Sequence, residues 1–182
     1  MVLLDRINDL PATKKIDGVA AIIKDFSDRI LMVVENENKY RKKAWQLSIP
    51  METVEKWEHI DEALKRWLKE ELWFDLDKEK WLYKLDFDES YFPLLVKASK
   101  DLILIKLYIY NLCVENELSD RLSKFKNWEI RKVQQIFMDD IFSEKIKNLR
   151  PWTKEVLFWL LSKIPVIENW EYVGFLENNT MS

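Results

Sequence analysis

The chain has 182 residues, of which 48% are hydrophobic and 34% are charged, and its formal net charge is −3. This length suits one domain with a full core, so we expect a single domain over 1–182. The charge balance excludes a broad basic face for nucleic acid or acidic membranes, and a single histidine and a single cysteine exclude a His-rich metal site and an internal disulfide. No apolar run reaches the length of a membrane span, and charges interrupt the N-terminal segment, which predicts a cytoplasmic protein.

The first half of the chain predicts three strands followed by one long helix. Residues 18–25 and 29–35 are apolar and β-branched, and the short polar segment between them predicts a hairpin. A polar loop separates them from residues 44–50, which predict a short strand closed by Pro50. Residues 59–72 place apolar side chains at helical spacing on one side and charged side chains on the other. This pattern predicts an amphipathic helix.

The second half predicts three more strands, a turn and two helices. The run at 102–114 is apolar almost throughout, which is typical of a strand buried on both faces. The run at 132–138 is predicted to be the last strand. The other predicted elements are a strand at 81–87, a turn around Pro93, a short helix near 139–147 and a C-terminal helix over 150–164. Strands flanked by helices before and after favour a mixed β-sheet covered on both faces, an α/β/α sandwich.

The long predicted helix and the residue before it carry a fixed pattern of charged and apolar residues. In chain order these are Glu58, Arg66 after seven residues, Leu68, the pair Glu70 and Glu71, and Phe74. Taken alone, such charges predict a solvated helix face with i,i+4 ion pairs. Their spacing, however, resembles the Nudix box, and six of the nine specified positions of that motif match. The strand and loop at 44–58 also resemble the segment that precedes the box in this family.

The resemblance implies a fold, a reaction and a set of site residues. A Nudix-like α/β fold would cover about 16–165 and hydrolyse a nucleoside diphosphate linked to another group, with Mg²⁺ or Mn²⁺ as cofactor. Glu70 and Glu71 would bind the metal ion together with the outer acidic partner Glu58, and Arg66 would pair with these acids and orient the loop. The partner is then a small molecule rather than nucleic acid or membrane, and a dimer is one option for the oligomeric state.

The general base is not identified by the motif. Glu115 and Glu117 follow the strand at 102–114 and are candidates, although acids in such loops are more often simply solvated. Glu52, in the phosphate-facing loop opposite the helix, is a further candidate. His59 follows Glu58 where the family often has Ser or Thr, so we interpret it as an N-terminal helix residue and not as a catalyst.

Several positions depart from the family pattern. Met51 and Glu52 replace a pair of glycines that the family usually has. Trp67 replaces a glutamate that commonly supplies a metal ligand, which supports an alternative function as a catalytically impaired nucleotide-binding or regulatory module. Trp57 and Trp73 both replace glycines. A third reading is a protein-interaction domain that uses exposed tryptophans.

The composition suggests a reason for these tryptophans. The chain has two glycines and nine tryptophans, and some bacterial lineages read UGA as glycine. We therefore consider the hypothesis that UGA-encoded glycines are written here as tryptophan. The positions concerned are Trp57, Trp67, Trp73 and Trp128, whereas Trp45 and Trp152 fit genuine tryptophans by context. In the alternative, all nine are genuine and the motif has degenerated. If position 73 is a recoded glycine, Trp73→Gly should stabilise the protein, because a helix often ends in a left-handed residue, and this conformation favours glycine.

Overall fold

Ten strands pair into one mixed β-sheet in the computed structural model, which describes residues 12–36, 45–79, 83–84, 91–98, 100–127, 130–158, 163–168 and 171–177. The strands are β1 Lys14–Asp25, β2 Arg29–Glu35, β3 Leu47–Ser48, β4 Met51–Thr53, β5 Tyr83–Lys84, β6 Tyr91–Ala98, β7 Asp101–Val114, β8 Ile130–Phe137, β9 Lys163–Glu168 and β10 Glu171–Glu177. The helices are α1 Ile60–Leu72, α2 Asn116–Ser123, α3 Met138–Phe142 and α4 Thr153–Phe158.

The parallel pair β1 and β7 forms the centre of the sheet. Its register runs without a break from Lys14 opposite Ile103 to Asp25 opposite Val114. The strand order is β10-β9-β6-β7-β1-β2-β3, and β4, β5 and β8 pair with β1, β7 and β2 respectively. β1 and β2 pair antiparallel around the turn at 26–28, which confirms the predicted hairpin.

Helices cover both faces of this sheet. One core cluster contains Trp67 and Leu68 of α1 together with Leu118 of α2, and the other contains Ile141 of α3 and Val156 of α4. β7 sends Tyr110 and Leu112 into the first cluster and Leu107 and Ile109 into the second. The predictions of an α/β/α sandwich and of a central strand buried on both faces are therefore confirmed. Among the helices described, none is long and apolar enough to cross a membrane.

The predicted turn around Pro93 is wrong, because this residue lies inside β6. Pro93 is paired with Lys106 of β7. On the other edge of β6, the ladder to β9 begins only at Leu95. A proline lacks the backbone N–H of a ladder donor, and strands tolerate it where one edge is not paired.

The prediction was also wrong for the C-terminal part. The strand predicted at 132–138 corresponds to β8 but is not the last, since β9 and β10 follow. Of the helix predicted over 150–164, the structure describes α4 over Thr153–Phe158, residues 159–162 lie outside the described residues, and Lys163 begins β9. A proline at 165 cannot continue a helix, and pairing with β6 supplies backbone hydrogen bonds instead.

Two further differences concern short elements. The helix predicted near 139–147 ends at Phe142, and α2 was not predicted at all. Of the strand predicted at 81–87, the structure describes Tyr83 and Lys84, which pair with β7. The remainder of that prediction, most of the polar loop after β2, and Trp128 lie outside the described residues.

Candidate functional site

The N-terminus of α1 is held by a reciprocal cap. His59 has an extended backbone and is the N-cap residue. Its Nδ1 accepts a hydrogen bond from the Asp61 N–H at 3.5 Å, and its own N–H donates to Glu62 Oε2 at 3.1 Å. These bonds satisfy donors that helix ends otherwise leave unpaired. The interpretation of His59 as an N-terminal helix residue is confirmed.

The apolar side of α1 determines which side chains face the cavity. Its buried residues are Ala63, Leu64, Trp67, Leu68 and Leu72. They occur at intervals of one to four residues, so they form one stripe that packs on the sheet. Arg66 and Glu70 lie beside this stripe and remain accessible to solvent.

Glu58 and Arg66 form a two-point ion pair at the base of the preceding loop. Arg66 Nη2 donates to Glu58 Oε1 at 2.8 Å, and Arg66 Nε donates to Oε2 at 3.1 Å. The Glu55 N–H also donates to Glu58 Oε1 at 2.9 Å. The Glu58 side chain is only 3% exposed. The hydrogen bonds from Arg66 lower the pKa of Glu58 below its ordinary value, although burial acts in the opposite direction.

This pairing shows what Glu58 contacts in the structure. Both of its carboxylate oxygens accept hydrogen bonds from Arg66, and its place among the metal ligands stays a prediction. Arg66 also lies 3.6 Å from Glu70, measured from Nη1 to Oε2. Glu58 is therefore the buried partner that holds Arg66, and Arg66 in turn connects the loop to the exposed carboxylate of Glu70.

A cavity of about 690 Å³ lies between the last turns of α1, the segment 52–57 and the start of β1. It brings together four of the predicted site residues, namely Glu52, Arg66, Glu70 and Glu71. Glu52 reaches it through β4, in which it pairs with Val19 of β1. Trp57 and Trp67 are also among the residues that line it. Residues separated along the chain thus converge on one charged cavity.

Lys14 is one of three charged residues in this cavity that the sequence analysis missed, the others being Glu55 and Lys56. It is the first residue of β1, more than fifty positions before Glu70, and it lines the same wall as the loop. Nothing in its local sequence distinguishes it from its neighbour Lys15. Only the pairing of β1 with β4 and the packing of α1 place it at the site.

Glu115 and Glu117 are not part of this cavity. Tyr108 is opposite Val19, which pairs with Glu52, whereas Glu115 follows the end of β7 seven residues later. At about 3.3 Å per residue, this separation is about 20 Å along the sheet. Glu115 is the N-cap residue of α2, and with Glu117 it lines a different cavity. The structure therefore does not support Glu115 as the general base.

The carboxylates of this cavity are possible ligands for a divalent metal ion. Within the described ranges, no group of three or more His, Cys, Asp or Glu side chains is arranged to hold a metal ion. Trp67 occupies the position of a family ligand, and Glu58 is bound by Arg66. Glu70 and Glu71 remain. Mg²⁺ commonly uses one or two protein carboxylates and completes its shell with water and substrate phosphates, so this pair fits a magnesium ion held largely by the substrate.

The backbone at Trp73 has a conformation that favours glycine. Trp73 is the C-cap residue of α1, with φ 51° and ψ 34°, in the left-handed region. The N–H groups of residues 73 and 74 both donate to the carbonyl of Leu68, as in helices that end with a left-handed residue. Its side chain is 76% exposed. The position therefore behaves as the family glycine does.

The other tryptophans within the described ranges divide into two groups. Trp45, which we interpreted as genuine, also has a left-handed φ of 73° and is 52% exposed. Trp57 is exposed as well. In contrast, Trp67 and Trp152 are buried among the largest side chains of the two core clusters. Backbone and burial thus make position 45 a further candidate for recoding, and they favour genuine tryptophan at 67 and 152.

We expect Trp73→Gly to be more stable than Trp73→Ala by about 1 kcal/mol in the free energy of unfolding. Both variants lose the indole contact with Phe125, whose ring centroid lies 5.6 Å away. Only glycine removes the cost of a left-handed backbone, about 1–2 kcal/mol for a residue with a Cβ. This gain exceeds the loss of one exposed ring contact. Trp73→Gly should therefore also unfold at a slightly higher urea concentration than the parent protein. Urea denaturation measures both differences, and a glycine variant no more stable than the alanine variant would contradict the assignment.

Glu58→Gln should lower stability at pH 7, and the difference from the parent should shrink below about pH 4. A carboxyl whose pKa is lowered by folding stabilises the native state above its unfolded pKa, and this contribution is lost as pH falls through the folded pKa. Glutamine cannot ionise, so the variant lacks that pH dependence. Unfolding free energies of both proteins at pH 7 and pH 3 check the prediction. It fails if the difference between parent and variant is the same at the two pH values.

Comparison with known proteins identifies the family and the fold of this chain. A family model described as the NUDIX domain matches residues 14–160. A search of curated proteins found no match. Among solved structures, a Deinococcus radiodurans protein is 12% identical with a TM-score of 0.57, and the alignment covers 82% of this chain and 86% of that one. The MutT protein from Methanosarcina mazei is 14% identical with a TM-score of 0.55, with 81% and 93% covered.

A third similar structure is a NUDIX hydrolase from Nitrosomonas europaea, with 18% identity and a TM-score of 0.50 over 80% of this chain and 87% of that one. At these identities the structural similarity concerns the fold alone. It agrees with the mixed sheet between helices described above.

Proposed function

Because the chain belongs to the NUDIX domain family, we propose that this pyrophosphohydrolase acts on a nucleoside diphosphate linked to another group and requires Mg²⁺ or Mn²⁺. The family assignment supports cleavage of a pyrophosphate bond; the nucleoside and the metal are the proposal. The observation that carries it is the Glu58–Arg66 pair, which holds the loop against α1 while Glu70 and Glu71 line the same cavity.

Four acidic or basic residues of the cavity, Glu52, Arg66, Glu70 and Glu71, have proposed roles. Glu70 and Glu71 would hold the metal ion, which would supply positive charge close to the phosphate oxygens. Arg66 orients Glu70 while its own position is held by Glu58. Glu52, on the β4 side of the cavity, is the proposed proton acceptor for the attacking water.

The direct test is a panel of nucleoside diphosphate derivatives incubated with Mg²⁺. The expected result is release of a nucleoside monophosphate from one class of derivative and loss of this activity with EDTA. Calcium in place of magnesium should support binding but little turnover. Failure of every derivative to be hydrolysed by folded protein would contradict the proposal.

A second candidate function is a nucleotide-binding module with impaired turnover. Trp67 favours it, since a buried indole stands where the family commonly has a ligand carboxylate. This candidate predicts magnesium-dependent binding of a nucleotide without product formation. Calorimetry combined with product analysis separates the two candidates on the same samples.

The remaining expectations about partners and location stay predictions. We expect a small-molecule partner and no binding to nucleic acid, and we expect a cytoplasmic location. The oligomeric state is open, with a dimer as one option.

A further inference from the structure

The charges that line the candidate active site are of both signs. The acidic residues in the lining are Glu52, Glu55, Glu70 and Glu71, and the basic residues are Lys14, Lys56 and Arg66. The charge of Arg66 is already neutralised by Glu58 and Glu70. Among the described residues, no ion pair or hydrogen bond of the side chain joins Lys14 or Lys56 to a partner. Two lysines are thus available to an anionic ligand in this cavity.

The two lysines belong to different segments that line the cavity. Lys56 belongs to the loop between β4 and α1, two residues before Glu58, and so lies next to the segment that faces Glu70 and Glu71. After β4 the chain continues along β1, where the Val54 N–H donates to the carbonyl of Asp17 at 2.9 Å. Lys14 lies three residues further along β1, which at about 3.3 Å per residue is about 10 Å beyond this bond. Lys14 therefore marks the part of the cavity remote from Glu52.

We propose that Lys14 binds a phosphate group of the substrate that is additional to the diphosphate held at Lys56 and the metal carboxylates. The inference rests on the proposed function and narrows the substrate to compounds whose second group is a phosphate or carries one. An ammonium group is a strong point-charge partner for phosphate, and a carboxylate-rich cavity admits several phosphates only where cations offset the repulsion. Lys14 then acts as a specificity-determining residue.

The test compares two analogues that cannot be hydrolysed at the bridging positions, methylenediphosphonate and bis-methylene triphosphate, each titrated in Mg²⁺ by calorimetry. The parent protein should bind the triphosphate analogue about ten-fold more tightly than the diphosphonate. Lys14→Gln should abolish this preference. Lys56→Gln should weaken the binding of both analogues by a similar factor, so the preference for the triphosphate analogue should remain.

Lys15→Gln is the matched control, because it removes the same charge from the adjacent residue of β1, which does not line the cavity. It should keep the preference. Thermal unfolding of all variants shows whether they are folded, and Lys14→Arg, which keeps the charge, should retain most of the preference.

The outcomes separate this inference from the function on which it rests. If the parent binds neither analogue with Mg²⁺, both are overturned. If it binds both equally, or if Lys14→Gln keeps the preference as Lys15→Gln does, the Lys14 inference is overturned and the proposed function stands.

Discussion

Replacing Glu71 by glutamine is expected to lower kcat by at least about 100-fold, since even residues that only orient a metal ligand are commonly worth 10–100-fold. Glutamine keeps the shape of the side chain but removes the negative charge that a magnesium ion requires. Glu71 and Glu70 are the two carboxylates of α1 that line the cavity, and Trp67 stands in place of a third. Glu70→Gln should have an effect of the same order.

Folding should hardly change in Glu70→Gln, whereas Glu71 is half-buried and the stability of its variant is measured separately. Glu70 is 64% exposed, and exposed substitutions usually alter the free energy of unfolding by no more than about 0.5 kcal/mol. Steady-state kinetics over a range of Mg²⁺ concentrations, on the derivative that the nucleotide panel identifies, measures the loss. Glu115→Gln, at the other end of the sheet, provides the comparison and should keep kcat within two-fold. Equal activity of Glu71→Gln and Glu115→Gln would remove Glu71 from the metal site.

The largest expected effect on stability concerns Trp67. Its side chain is 2% exposed and belongs to the core cluster between α1 and the sheet. Truncating a buried tryptophan typically costs about 3–5 kcal/mol through lost burial and the cavity left behind. A glycine within a helix adds about 1 kcal/mol. We therefore expect Trp67→Gly to lose most of the stability of the domain, and Trp67→Phe, which fills more of the space, to lose clearly less.

Thermal and urea denaturation of these two variants measure the effect. Unchanged stability of Trp67→Gly would show that the indole is not needed at this position, and it would return position 67 to the tryptophans that we suspect of being recoded glycines. The contrast with Trp73 is informative, because there glycine is expected to stabilise. An intact mass of the protein from its native source would count the recoded positions directly.

The sequence by itself was sufficient for the elements with strong local signals. The hairpin of β1 and β2 and the helix α1 followed from β-branched runs and from helical periodicity, both of which depend on neighbouring residues only. The spacing from Glu58 to Phe74 identified the family, since one helix and its preceding loop carry the whole motif. The unusual residue at position 73 was also visible from the motif alone.

Only the tertiary structure decided which strands exist near the edges and what several site residues contact. Pro93 and the residues of β9 are in strands because neighbouring strands offer hydrogen bonds, which no local pattern reports. Glu58 became the partner of Arg66 because the loop folds back on α1. Lys14 lines the cavity and Glu115 does not, because strand register brings some distant residues together and separates others by the length of a strand.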